Sequence, residues 1–252
     1  MAISVNTVYQ TVLLLLNKEQ RGYMTPTEFN SVATQVQLEI FEKYFEDLNQ
    51  QLRVPQADVD YADRIATIDE KISIFKRFQN PARGASATIY YDLSGTAFSN
   101  LYRLGAVTYN PPIGTPVELQ RLPRSSFYNI QKSPLTAPTL SFPIYLYENK
   151  RLYIYPQIKT PIWTTGDITI DFVQKPTNPT WNFTEGSLGQ YIFTPTTAAA
   201  PLTPSIDFEL MVSEQNTVIL KILLYAGLII EDPTVIQLAA QQVQQQDYNK
   251  KS

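Results

Sequence analysis

Val5, Val8, Tyr9, Val12, Leu13, Leu15 and Leu16 fall at the i, i+3, i+4, i+7 spacing of a helix with one apolar stripe. Thr25-Pro26-Thr27-Glu28 reads as the start of a second helix. Thr25 is the N-cap, Pro26 fills the first helical position, and Glu28 reaches back as a capping box. From there Phe29, Val32, Val36, Ile40, Phe41, Tyr44, Phe45 and Leu48 keep helical spacing for about six turns. Tyr61, Ile65, Ile68 and Ile72 predict a third helix. Far along the chain, Val218, Ile219, Ile222, Leu223 and Ala226 predict a fourth, with Gly227 placed to stop it. Asp232-Pro233 caps a fifth, carried by Ile236, Ala239, Ala240 and Val243. The segment from Gln241 to Ser252 is polar and Gln-rich, and is expected to fray unless a partner orders it.

Between these flanks the pattern shortens to strands: Thr88–Leu93, Leu101–Tyr109, Val117–Leu122, Ile144–Tyr147, Arg151–Tyr155 and Ile168–Val173. Glu148-Asn149-Lys150 sits between two of them as a hairpin turn. Fifteen of the 18 prolines and seven of the nine glycines lie between Pro81 and Pro204, which predicts strands and loops throughout that segment. Regular spacing of short strands predicts a small sandwich or barrel. The expected fold is α+β: a helical bundle from residues 1–80 and 205–252, with a β-rich sandwich or barrel-like domain, 81–204, inserted into it.

Composition removes much chemistry. Without cysteine there is no disulfide, thiolate metal site or Cys nucleophile; without histidine there is no Ser-His-Asp triad, His-bound zinc or imidazole acid/base. A net charge of −3 gives no overall grip on nucleic acid. The charge is uneven, however. Residues 81–204 sum to +3 and the helical flanks to −6, a polarity that can orient head-to-tail contacts between copies. No basic n-region or cleavage site opens the chain, and the longest apolar stretch, Ile222 to Ile230, is too short for a bilayer span. The expectation is a soluble protein made in a cytoplasm.

The remaining chemistry is carboxylate and tyrosine. Glu39, Glu42 and Glu46 share a helical face and are expected to be solvated. Asp58, Asp60 and Asp63 lack the glycine and terminal glutamate of a calcium loop. No phosphate-binding glycine signature is present, and Gly186-Ser187-Leu188-Gly189 reads as a loop. Basic residues pair at Lys76-Arg77, Arg121 with Arg124, and Lys150-Arg151, too scattered for a stripe along a nucleic-acid backbone. Asp167 and Asp171, four apart on one strand, would stand roughly 13 Å apart, too far for either glycosidase geometry. More informative are Tyr145, Tyr147, Tyr153 and Tyr155, which alternate along two strands and are expected to project from one face, with Ile144, Leu146, Leu152 and Ile154 on the other. Either the domain covers both faces, or the tyrosines meet another subunit or stack against sugar rings.

Three stretches together resemble a known family: Leu13 to Phe45 (LLLLNKEQRGYMTPTEFNSVATQVQLEIFEKYF), Ser133 to Pro156 (SPLTAPTLSFPIYLYENKRLYIYP) and Leu220 to Gln242 (LKILLYAGLIIEDPTVIQLAAQQ). They are similar to ring or adaptor proteins in the head–tail connector of short-tailed, crAss-like bacteriophages. The resemblance implies a virion protein, made in the host bacterial cytoplasm. It implies a dodecameric homo-oligomeric ring beneath the portal, with neighbouring tail proteins as further partners. Genome DNA would pass without sequence-specific binding. It implies no catalytic residue, cofactor or metal, and no membrane span. By the same analogy, Tyr145, Tyr147, Tyr153 and Tyr155 would lie between subunits. The C-terminal Gln241, Gln242, Gln245, Tyr248, Lys250 and Lys251 would dock on the portal or a neighbouring ring. The alternative is a carbohydrate-binding β-module of a tail or receptor-recognition protein.

Overall fold

A computed structural model describes residues 2–18, 24–53, 59–84, 90–111, 114–157, 167–230 and 240–245. In chain order, three helices come first: α1 (Val5–Lys18), α2 (Pro26–Arg53) and α3 (Val59–Ser73). Strands follow: β1 (Lys76–Gln79), β2 (Ala82–Arg83), β3 (Tyr90–Asp92), β4 (Leu101–Tyr109), β5 (Val117–Glu118) and β6 (Gln120–Arg121). Helix α4 (Arg124–Lys132) precedes β7 (Ile144–Glu148), β8 (Arg151–Tyr155) and β9 (Ile168–Gln174). The short β10 (Phe183–Glu185) and β11 (Tyr191–Phe193) lead to α5 (Gln215–Ile230). The structure is mixed α/β with three sheets, none closed into a barrel among the described residues. Two compact units divide the chain: Met1–Ile74 with Pro176–Ser252, and Phe75–Lys175.

The helical unit is built on the stripes that the sequence shows. Val5, Val8, Val12 and Leu16 of α1 are buried, as are Phe29, Val36, Ile40 and Phe41 of α2 and Val218, Ile222 and Ala226 of α5. Full burial of each large apolar side chain contributes about 1.5–3 kcal/mol. The capping box of α2 forms as read: the Thr25 N–H donates to Glu28 Oε2 at 2.8 Å, and the Glu28 N–H donates to Thr25 Oγ1 at 3.3 Å. Helix α5 does not stop at Gly227 but runs on to Ile230. Glycine costs a helix interior about 1 kcal/mol and ends it only where the chain turns left-handed. The expected fifth helix begins within 231–239, outside the described residues; residues 240–245 are helical.

The inserted segment is shorter than the proline content implies. Residues 176–204 belong to the helical unit, across whose helices they form a strap. Thr177 hydrogen-bonds to Glu209, and its carbonyl accepts from Gln37 Nε2 at 2.6 Å. The Trp181 N–H donates to Asn30 Oδ1 at 2.7 Å. At the end of the strap, Asp207 Oδ1 accepts the Val5 N–H at 2.9 Å, capping α1 from 202 residues away. Prolines that terminate strands and prolines that stiffen a strap look alike in composition.

Glu39 also departs from expectation. Glu42 and Glu46 are exposed, but Glu39 turns toward α5, where it accepts hydrogen bonds from Tyr225 Oη and, at 3.1 Å, from Lys221 Nζ. Burial raises the Glu39 carboxyl, yet the bonds from Tyr225, Lys221 and Gln35 and the Lys221 charge outweigh it, leaving it below its ordinary 4.5. Tyr225 is pushed up to about 12 by the same bond. A carboxyl held low in the folded chain adds stability above its unfolded value, lost as pH falls through the folded value. Glu39→Gln is therefore expected to cost about 1–2 kcal/mol near neutral pH. Melting curves should show the gap to wild type closing below pH 4.5; a gap that is constant with pH would contradict the assignment.

In the β unit, one sheet has the order β1-β9-β4-β5 and the other β2-β3-β8-β7-β6, antiparallel except for the parallel β6–β7 pair. Both sheets contribute to one core: Val107, Ile168, Ile170 and Phe172 from the first, Tyr91, Leu152 and Ile154 from the second. Strand β4 shifts register on either side of Arg103–Leu104, and a Cβ at Gly105 would stand 3.0 Å from the Asp171 carbonyl. Glycine lets β4 and β9 approach closely there, where a side chain would push the Asp171 backbone back by a few tenths of an ångström.

Candidate functional site

The hairpin β7–β8 carries the tyrosines, and its register decides where they point. Glu148 pairs with Arg151, leaving a two-residue turn of Asn149 (φ 50°) and Lys150 (φ 56°). Two left-handed residues in succession make the turn that matches strand twist. Ile144 then lies opposite Tyr155, Tyr145 opposite Ile154, Leu146 opposite Tyr153 and Tyr147 opposite Leu152. Cross-strand partners share a face, so the four tyrosines do not form one platform. Tyr145 and Tyr147 face the core between the sheets, with Leu152 and Ile154. Tyr153 and Tyr155 lie on the other face with Ile144 and Leu146. A three-residue turn would have put all four together; a turn one residue shorter flips one strand relative to the other.

Both faces are covered. Helix α4, in a segment expected to be strands and loops, lays Phe127 against Ile144 and Leu146, with its ring 4.5 Å from that of Tyr155. Tyr145 is 3% exposed, and burial raises its hydroxyl pKa. It cannot serve as an open contact residue. Tyr147, Tyr153 and Tyr155 are half-buried.

What the hairpin does present is charge. Arg124, the first residue of α4, forks onto Glu148 with Nε–Oε1 at 2.6 Å and Nη2–Oε2 at 2.5 Å, fixing the helix start to the end of β7. That guanidinium holds the Glu148 carboxyl below the usual carboxylate range. Arg121, brought alongside by the parallel β6–β7 pairing, lies with its guanidinium 5.7 Å from the Tyr147 ring centre. It borders two shallow clefts. One, of about 260 Å³, is lined by Arg121, Arg124, Leu146, Tyr147 and Glu148; the other, of about 400 Å³, by Arg121, Glu118, Gln120 and Tyr145. Lys150 in the turn and Arg151 beside it are exposed, the latter 4.9 Å from the Tyr90 ring centre. The two basic pairs do not merge into one patch: Arg121, level with Tyr145, lies on the core face of the sheet, and Arg151, level with Glu148, lies on the other. A guanidinium over an aromatic ring and beside an open cleft, as at Arg121, is suited to meet a carboxylate.

The unit boundaries sharpen the charge division. Phe75–Lys175 holds eleven basic and five acidic side chains, net +6; the rest of the chain holds nine and eighteen, net −9. The same chain partitioned at 81–204 shows only +3 and −6, because Lys76 and Arg77 fall on one side of the boundary and Glu185 on the other. No group of three or more carboxylates converges as a metal site among the described residues. None of their helices is long and apolar enough to cross a membrane. Gly186-Ser187-Leu188-Gly189 is the tip between β10 and β11. Of the C-terminal candidates, Gln241, Gln242 and Gln245 lie on the helical stretch 240–245, and Tyr248, Lys250 and Lys251 lie outside the described residues. No protein-family model matches this chain, and no curated protein matches it.

Proposed function

We propose that this protein is a virion structural component, a ring-forming subunit of a phage head–tail connector that joins portal to tail and lines the DNA passage without catalysis. The observation that carries this reading is the opposite charge of its two units, +6 and −9. A chain that carries both halves of a complementary pair binds copies of itself head to tail. Such heterologous contacts close into rings when the rotation permits. The finer architecture follows the same reading: a β-sandwich inserted into a helical bundle, the bundle packing neighbours and the C-terminal glutamines reaching the portal or the next ring. The overall −3 charge lets DNA slide past without sequence-specific binding. The resemblance of the three segments quoted above supplies the phage setting and the dodecameric expectation.

The alternative, a carbohydrate-binding β-module, draws less support, because the hairpin register does not put the four tyrosines on one face. Negative-stain images of the purified protein, with and without a portal ring, test the proposal. Closed rings in either condition are expected; particles that stay monomeric in both would overturn it.

A further inference from the structure

We propose that strand β10 of a second copy of this chain adds antiparallel to the open edge of β1, with Glu185 opposite Lys76 and Phe183 opposite Phe78. This rests on the self-assembly proposed above and names the strands that would carry it.

Strand β1 is the outer strand of its sheet, paired with β9 alone among the described residues, and all four of its residues are exposed. The phase of the ladder fixes which backbone groups face outward. The Gln174 N–H donates to the Phe75 carbonyl at 2.9 Å, so Phe75, Arg77 and Gln79 turn their backbone groups toward β9. Those of Lys76 and Phe78 point away from it. The Lys76 carbonyl takes the Arg77 guanidinium at 3.2 Å, an exposed bond that an incoming N–H can replace. The Phe78 ring is 69% exposed. Basic side chains on an edge deter a neutral or basic strand, but they select an acidic one.

The hairpin β10–β11 has an edge in the same phase. The Gly186 N–H donates to the Gln190 carbonyl and the Thr194 N–H to that of Asn182, both at 2.9 Å. Asn182, Thr184 and Gly186 therefore face β11, and the backbone groups of Phe183 and Glu185 face outward. Strands whose outward groups match in this way close a hydrogen-bonded ladder, here at the pairs Lys76–Glu185 and Phe78–Phe183. Residues directly opposite share a face, so the ammonium meets the carboxylate and the two rings meet each other. Between these pairs, Arg77 faces the neutral Thr184. Glu185 is exposed, and Phe183 and Thr184 are half-buried. The other edge of the hairpin, β11, turns Tyr191 and Phe193 outward and offers Lys76 no acid. Charge selects β10. The units agree in sign, since β1 belongs to the +6 unit and β10 to the −9 unit. Because the two edges lie in different units, the contact is heterologous, and each bound copy leaves one of each edge open for the next.

The chain has no cysteine, so introduced thiols report one contact at a time. Arg77 and Thr184 would form a non-hydrogen-bonded pair with Cα atoms about 4.5 Å apart, inside the disulfide range. Full-length Arg77→Cys chains, mixed with Thr184→Cys chains and mildly oxidised at low ionic strength, should give a disulfide-linked heterodimer by mass spectrometry. Arg77→Cys mixed with Ile192→Cys should not, because Ile192 lies opposite Thr184 on β11, one strand further away. In sedimentation velocity, Lys76→Glu and Glu185→Lys should each weaken self-association about tenfold, and the two together should restore it. Both positions are exposed, so circular dichroism should match wild type. Cross-linking through Ile192→Cys as readily as through Thr184→Cys, cross-linking through neither, or a charge exchange as weak as the single variants would overturn the strand addition while leaving self-assembly standing. A wild-type chain that never associates would overturn both.

Discussion

Replacing Trp181 with alanine is expected to destabilise the helical unit by about 3–5 kcal/mol, the range for large aromatic truncations in a packed core. Trp181 is 5% exposed and stands at the root of the strap. Its ring lies 4.5 Å from Tyr9 of α1 and stacks at 5.8 and 5.7 Å on Phe183 and Phe193. Its indole N–H donates to Asn6 Oδ1 at 3.0 Å, and its backbone is held in both directions by the Asn30 side chain. Alanine empties the volume and strands the Asn6 acceptor together. The pair β10–β11 bonds to no other strand among the described residues, and a two-stranded sheet alone is marginal. Hydrogen exchange should therefore quicken across the hairpin Phe183–Phe193 before the helices open. Urea unfolding followed by circular dichroism measures the loss. A loss under about 1 kcal/mol, with unchanged exchange, would mean the strap is not integral to that core.

The second large effect is asymmetric. Glu214, 2% exposed and in the 3-10 turn that leads into α5, receives Lys71 Nζ of α3 at 2.7 Å. The Lys71 ammonium also lies 5.6 Å from the ring centre of Tyr44 on α2, so one cation links three elements. Lys71→Met leaves a carboxylate buried without that cation and is expected to cost about 3 kcal/mol. Changing both members, Lys71→Met with Glu214→Leu, should cost much less, because neither charge then needs desolvation. Thermal or urea unfolding of the single and double variants decides it. Equal costs for both would show that packing rather than charge burial dominates there.

How much of this was legible in the sequence depends on the range of each cause. The capping box at Thr25 and Glu28 and the stripes of α1 and α2 are local patterns, and they appear where the spacing puts them. Strands β4 and β8 begin and end where their apolar runs do. Helix α4 was hidden because it is only nine residues long, buries one side chain, Phe127, and sits among prolines. The tyrosine faces hung on whether Glu148 belongs to the turn or to the strand, a single residue that reverses every pairing. The solvated reading of Glu39 missed Lys221 and Tyr225, more than 180 residues away, and nothing local points to them. The placement of Arg121 over Tyr147 depended on a parallel β6–β7 pairing, again a long-range event. The polarity was visible, but its size awaited the true unit boundaries.

The central claim is that oppositely charged units make this chain associate with itself. Sedimentation velocity of the wild-type protein across a salt series, with and without a portal ring, tests it most directly. Exposed charges more than about 10 Å apart are largely screened at 0.1 M salt, so a charge-led contact weakens as salt rises. The account predicts species well above the 28.6 kDa monomer at low salt, which dissociate as salt is added. A chain that sediments as a monomer throughout, whether or not a portal is present, would contradict it.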